Sequence, residues 1–220
     1  VLGGDDYRQP ETVIRNADIA MYRAKATGRD RYAIFDPAMH AQVRDRLQLE
    51  NDLRRALDRQ EFVLFYQPIV ALDTLKIVGF EALLRWQHPT RGLLMPDRFI
   101  PVAEESNLMP PLGEWILLTA CQQVSEWQAQ IAAGLCLSVN LSVKQLQPSM
   151  FLPQLQQVLA VTHIKPQSLA LELTESLLVE NIEATGQLLN QLQATGVTIS
   201  IDDFGTGYSS LSYLHQLPVN

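Results

Sequence analysis

Four short apolar runs in this chain end on oxygen-bearing side chains. They are Phe80-Glu81-Ala82-Leu83-Leu84-Arg85, Ser138-Val139-Asn140-Leu141-Ser142, Leu171-Glu172-Leu173-Thr174-Glu175 and Ile199-Ser200-Ile201-Asp202-Asp203-Phe204-Gly205. Carboxylate and amide oxygens are hard ligands, suited to Mg²⁺ or Mn²⁺. If Glu81, Asn140, Glu172 and Asp202 converge, they make an oxygen-rich ion site. The adjacent Asp202-Asp203 pair can then serve two ions, one carboxylate turned to each. Two such ions, about 3.5–4 Å apart, clamp the attacking and leaving oxygens of a phosphodiester.

Each of these residues has an ordinary reading when taken alone. Glu81 reads as a solvated loop carboxylate, Asn140 as a turn or cap residue, and Asp202-Asp203 as part of a turn. Glu175 reads as a first-turn carboxylate favoured by a helix dipole. Glu172 is harder to set aside, because a carboxylate interrupting an apolar strand is costly without a partner. Gln67 and Arg85 fit the same place: Arg85 lies four residues after Glu81 and has the planar fork that binds a phosphate. Their ordinary readings are a strand-edge amide and a surface ion pair. The order and spacing of the set, with helix-length stretches between its members, ask for one explanation.

Convergence needs elements that bring strand ends together. Phe62–Val70, Ile77–Leu84, Cys136–Asn140, Leu169–Leu173 and Val197–Ile201 read as strands. Helical spacing lies between them, up to about Ile131, near Met150–Ala160 and near Ile182–Ala194, with a short helix near Ser209–Leu214. Gln87 to Pro101 reads as a long loop. Strands alternating with helices predict parallel βα units. In a closed (β/α) barrel the C-terminal strand ends surround one mouth, which would gather Glu81, Asn140, Glu172 and Asp202.

The front of the chain has a different pattern. Residues 12–28 carry Val13, Ile14, Ala17, Ala20, Met21 and Ala24 at helical spacing, with Gly28 as a stop, and Arg31–Phe35 reads as a short strand. Asp36-Pro37 is an N-cap signal followed by proline at the first helical position. It opens a helix to about Arg59, with Val43, Leu47, Leu53 and Leu57 on one stripe and charges on the other faces. This helix reads as a linker or as an ordinary surface helix.

Bulk properties narrow the function class. The chain has 220 residues, 47% of them hydrophobic and 19% charged, as in a soluble globular protein. Its formal net charge of -7 speaks against a nucleic-acid polymer as partner, which would need a basic face. A nucleotide remains compatible, because bound cations invert the local charge. Cys121 and Cys136 form no CxxC pair, so neither a disulfide framework nor a zinc site is expected, and a cytoplasmic setting is. No apolar run approaches the ~20 residues of a membrane span, and no signal peptide is visible.

Residues from about 48 onward resemble the EAL domain, the cyclic di-GMP phosphodiesterase family. The resemblance is carried by Gly79-Phe80-Glu81-Ala82-Leu83-Leu84-Arg85-Trp86, Tyr66-Gln67-Pro68-Ile69, Val139-Asn140-Leu141-Ser142, Glu172-Leu173-Thr174-Glu175 and Asp202-Asp203-Phe204-Gly205-Thr206-Gly207. It implies a (β/α)8 TIM-like barrel cut after about its fifth site-bearing strand. It also implies a two-metal site of Mg²⁺ or Mn²⁺, with Glu81, Asn140, Glu172 and Asp202 on the first ion and Asp203 on the second. Glu81, Glu175 and Asp203 would be catalytic. Glu175 would anchor the loop Asp203–Ser210, which would help form a homodimer, and Gln67 and Arg85 would contact cyclic di-GMP. The implied reaction is hydrolysis of cyclic di-GMP to linear pGpG; the alternative is a receptor that binds without cleaving.

Residues 1–35 resemble the end of a GGDEF (diguanylate cyclase) domain through Arg15-Asn16-Ala17-Asp18-Ile19-Ala20-Met21-Tyr22-Arg23-Ala24-Lys25 and Gly28-Arg29. Gly3-Gly4-Asp5-Asp6 imitates the cyclase signature but is misplaced for it, and reads as a loop. The implied organisation is a GGDEF remnant at 1–35, a linker helix at 36–59 and the front part of an EAL domain at 60–220. The Lys, Glu and Gln that complete the family's site would fall after Asn220. The resemblance therefore implies an active parent protein and inactive isolated residues.

Overall fold

The computed structural model describes residues 10–26, 30–174 and 182–202, and the chain divides into two units, Val1–Arg55 and Ala56–Asn220. In the first unit, α1 spans Pro10–Ala26 and α2 begins at Pro37 and runs to Ala56. The backbone N–H of Ala38 donates to Asp36 Oδ1 at 2.9 Å, which satisfies an orphan donor of the first turn as the sequence predicts. His40 Nε2 lies 2.8 Å from the buried Asn16 Oδ1.

Four expectations for this region are corrected. Residues 31–35 form no strand, because no neighbouring strand pairs with them among the described residues. On α1 the buried positions are Asn16, Ala20 and Ala24, whereas Ile14 and Met21 are exposed. On α2, Met39, Leu49 and Leu53 are buried and Leu47 is 55% exposed, so the buried stripe is rotated from the predicted one. The helix also stops at Ala56, where the N–H of Glu61 turns back to the Ala56 carbonyl at 3.0 Å.

The second unit is a sheet with helices. Its described strands are β1 (Phe62–Val70), β2 (Ile77–His88), β3 (Gly92–Leu94), β4 (Cys136–Leu141), β5 (Leu169–Thr174) and β6 (Thr198–Asp202), in the order β1-β2-β4-β5-β6 with β3 beside β2. No helix separates β1 from β2, so the two form an antiparallel hairpin. β2, β4, β5 and β6 are all parallel, as the alternation with helices requires. The intervening helices are α3 (Pro96–Glu105), α4 (Met109–Gln130), α5 (Pro148–Thr162) and α6 (Ile182–Ala194). α4 packs on β4 and β1, α5 on α4, and α6 on α5 and β6. No described helix is long and apolar enough to cross a membrane.

The predicted loop from Gln87 to Pro101 is largely structured. β2 continues to His88, and Gly92, at φ 71°, turns the chain back as β3. The ring nitrogen Nδ1 of buried His88 accepts from the N–H groups of Thr90 and Arg91, closing that turn. Pro96 then starts α3 at a position that needs no N–H.

The period of two along the strands sorts the sheet into two faces. Leu137, Val139, Leu141, Leu169, Leu171, Leu173 and Ile199 are buried on one face, where Phe62, Trp86, Phe99 and Trp115 also form an aromatic cluster. Their alternates, Ser138, Asn140, Glu172, Ser200 and Asp202, line the other.

Candidate functional site

Register decides which polar residues meet. In the parallel ladder Glu81 lies beside Ser138, Asn140 beside Glu172, Glu172 beside Ser200, and Thr174 beside Asp202. Across the hairpin Gln67 lies opposite Glu81. Paired residues share a face, so Gln67, Glu81, Ser138, Asn140, Glu172 and Asp202 form one polar surface across five neighbouring strands. Glu81 is not at a strand end, as the sequence implies, but inside β2. It lies where the pairing with β4 runs out, one residue before the last pair, Ala82 with Val139. Beyond Ala82, the described partners of β2 are β1 and β3.

β4 is the hub of this surface. Asn140 Nδ2 donates to Glu81 Oε1 at 2.7 Å, reaching towards β2. Ser138 donates its hydroxyl to Glu172 Oε1 at 2.5 Å, reaching towards β5. One strand thus supplies a donor to a carboxylate on each side. Burial pushes the Glu172 carboxyl above its ordinary range. The Ser138 hydrogen bond lowers it, and the nearby negative charges of Glu81 and Asp202 raise it further.

That repulsion is the sign of a surface suited to cations. Four oxygen donors, three of them carboxylates within electrostatic reach, match the hard-ligand set of Mg²⁺ or Mn²⁺. As they stand, no three His, Cys, Asp or Glu side chains form a metal-binding group among the described residues. A bound cation would offset the repulsion that Glu81 and Asp202 exert on Glu172. Asp203, Glu175 and the loop 203–210, which the sequence assigns to this site, lie outside the described residues.

Arg85 occupies the same face of β2 but is engaged locally. Its Nη1 donates to the Leu84 carbonyl at 2.7 Å, and its guanidinium stands 5.5 Å from the Phe65 ring centroid. Tyr66 is on the opposite face, against Trp127, where burial and the neighbouring Cys121 push its phenol up to about 12. Buried Cys121 is itself pushed up to about 12 and remains a thiol, which removes it as a nucleophile.

A model of the EAL domain matches residues 50–220. The chain belongs to the EAL-domain family. Among curated EAL relatives, the bifunctional diguanylate cyclase/cyclic di-GMP phosphodiesterase MucR of Pseudomonas aeruginosa is 44% identical over 217 residues, covering 99% of this chain and 32% of that protein. The cyclic di-GMP phosphodiesterase PdeR of Escherichia coli is 41% identical over 208 residues, covering 94% and 31%. The chain therefore spans about a third of the length of these relatives.

The fold agrees. The MucR phosphodiesterase in complex with cyclic di-GMP aligns with a TM-score of 0.75 and 44% identity, over 79% of this chain and 70% of that one. An EAL enzyme bound to cAMP and cyclic di-GMP aligns with a TM-score of 0.77 and 33% identity, over 98% and 56%. The mixed α/β, TIM-barrel-like architecture expected from the sequence is thus the one observed.

Neither the residue type nor the motif spacing of the sequence singles out Ser138. It stands two residues before Asn140, so the strand period places both on the EAL site face, and that period is the signal that finds it. A second set anchors the turn after β4. Ser142 donates its hydroxyl to Glu104 Oε1 at 2.6 Å, and its N–H donates to Gln145 Oε1 at 2.7 Å. Gln145 is buried against Gly113 of α4, where a side chain would collide with it. The contacts of Ser142 with Glu104 and of Gln145 with Gly113 join sequence-distant positions, which no local pattern announces.

Proposed function

We propose that the protein carrying this chain is a metal-dependent phosphodiesterase that hydrolyses cyclic di-GMP to linear pGpG in bacterial signalling. The observation that carries the reading is the single polar face on which β4 links Glu81 and Glu172 through Asn140 and Ser138, with Asp202 close enough to raise the Glu172 carboxyl. The names of the MucR and PdeR relatives, and the cyclic di-GMP complex of MucR, support the substrate.

Glu81, Asn140, Glu172 and Asp202 would hold one Mg²⁺ or Mn²⁺, and Asp202 with Asp203 a second. Bound there, the ions supply Lewis acidity to the scissile phosphodiester. Asn140 orients Glu81, and Ser138 orients Glu172. Gln67, opposite Glu81, and Arg85, released from the Leu84 carbonyl, bind the ligand; the Arg85 fork suits a phosphate. Glu175 is assigned to anchoring the loop 203–210 and, with Glu81 and Asp203, to catalysis. The same loop is assigned to a homodimer contact. The remaining assignments are a GGDEF remnant at 1–35, a linker helix at 36–59 and a cytoplasmic setting.

The test is turnover of cyclic di-GMP with Mg²⁺ or Mn²⁺ by the full-length protein, beside Asp202→Asn and Glu81→Ala. Both substitutions are expected to abolish turnover. Unchanged rates would refute the site, and ligand binding without turnover in the parent protein would make it a receptor instead.

A further inference from the structure

Ser138 is buried, and its hydroxyl has a choice of carboxylates. Its register partner on β2 is Glu81, directly alongside, yet the hydroxyl donates to Glu172 on β5. On β5 the residue beside Ser138 is Ala170, which carries nothing beyond Cβ. Glu172, two residues further on, can therefore lean back to the hydroxyl. Asn140, beside Glu172, turns the other way and donates to Glu81. The pairing is crossed: each donor of β4 serves the carboxylate that the other donor stands next to.

We propose that Ser138 is a positioning residue for the divalent-ion site, a role that rests on the phosphodiesterase reading above. Its O–H occupies Oε1 of Glu172 and fixes the carboxylate plane. Oε2 is left as the oxygen offered to an ion shared with Glu81, Asn140 and Asp202. Hydrogen bonds of this kind, from a neighbour to a ligating carboxylate, set ligand orientation before the ion arrives. A hydroxyl that merely satisfied its own buried donor would have no bearing on ion affinity.

The experiment measures Mn²⁺ binding to the full-length protein without nucleotide, from the electron paramagnetic resonance signal of free Mn²⁺. Ser138→Ala, Ser138→Thr and Ser138→Val are compared with the parent. The Thr and Val variants have the same shape, so they decide the matter if the Ala variant is poorly folded. Loss of the hydroxyl in Ala and Val is expected to weaken Mn²⁺ binding by about 10-fold or more, with Thr retaining the parental affinity. Parental affinity in Ala and Val overturns the role of Ser138 and leaves the phosphodiesterase reading standing. A parent protein that binds no Mn²⁺ overturns both.

Discussion

Gly79 tests whether the spacing of β2 and β4 sets the site. It lies two residues before Glu81 and pairs with Cys136 at the start of the parallel ladder. A Cβ there would stand 2.6 Å from the Cys136 carbonyl oxygen, against 3.4 Å for the shortest ordinary contact, so the strands must part by about 0.8 Å. The obstacle is backbone and cannot rotate away. Carried to the next site positions, the same displacement stretches the 2.7 Å hydrogen bond from Asn140 to Glu81 to about 3.5 Å, beyond useful length. Overpacking of this kind costs about 1–3 kcal/mol, and the stiffer unfolded chain returns about 0.4–1 kcal/mol. A Gly79→Ala protein should therefore melt roughly 2–6 °C lower. A misplacement approaching 1 Å should also lower cyclic di-GMP turnover by about 10- to 100-fold.

The matched control is Gly134→Ala, where a Cβ meets nothing within 4 Å. It makes the same chemical change without the collision and should melt no lower than the parent. Scanning calorimetry and a turnover assay on the full-length proteins decide between them. If Gly79→Ala melts like Gly134→Ala and keeps the parental rate, strand spacing does not set the Glu81–Asn140 geometry.

Three further outcomes follow from the same contacts. The Glu172 carboxyl is raised, so its protonated form is the one favoured by folding; its stabilising contribution is complete below the ordinary value of 4.5 and is lost as pH rises through the folded value. Metal-free Glu172→Gln should thus be more stable than the parent at neutral pH by thermal melting, and an equal or lower melting point there contradicts the repulsion. In Gly113→Ala the new Cβ would lie 1.4 Å from Gln145 Nε2, expelling that buried side chain at about 1–3 kcal/mol, and urea unfolding should show the same glycine change costing little in a Gln145→Ala background. Iodoacetamide on the native protein, mapped by mass spectrometry, should modify exposed Cys136 and spare Cys121, whose thiol is held protonated by burial.

Much of this was legible because strand chemistry is local. Phe62–Val70 and the helix Ile182–Ala194 are found where the residue pattern places them, and the oxygen donors stand out because they interrupt apolar runs. The buried stripe of α2 differs from the apolar one in the sequence because burial of one helix face depends on what packs against it, which Leu47 cannot reveal by itself. The turn 89–91 looks like open loop in the sequence because its stability comes from His88, a residue whose acceptor role is invisible until two N–H groups are aimed at it.

Register was the decisive part that the sequence leaves open. A one-residue slip of β4 against β5 would carry Ser138 and Asn140 to the helix-packed face and bring Leu137 and Val139 to the site. The fully buried Leu137, Val139, Leu169 and Leu171 prevent that slip, since exposing any one of them forfeits about 1.5–3 kcal/mol. The apolar face therefore fixes the polar one. The distance over which Ser138 reaches Glu172 and Asn140 reaches Glu81 is set by residues that never touch a ligand. Substitutions that shift β4 should accordingly damage the site as surely as removal of a carboxylate. Conservative changes such as Val139→Ile, which keep the register while altering volume, should lower stability before they alter the site.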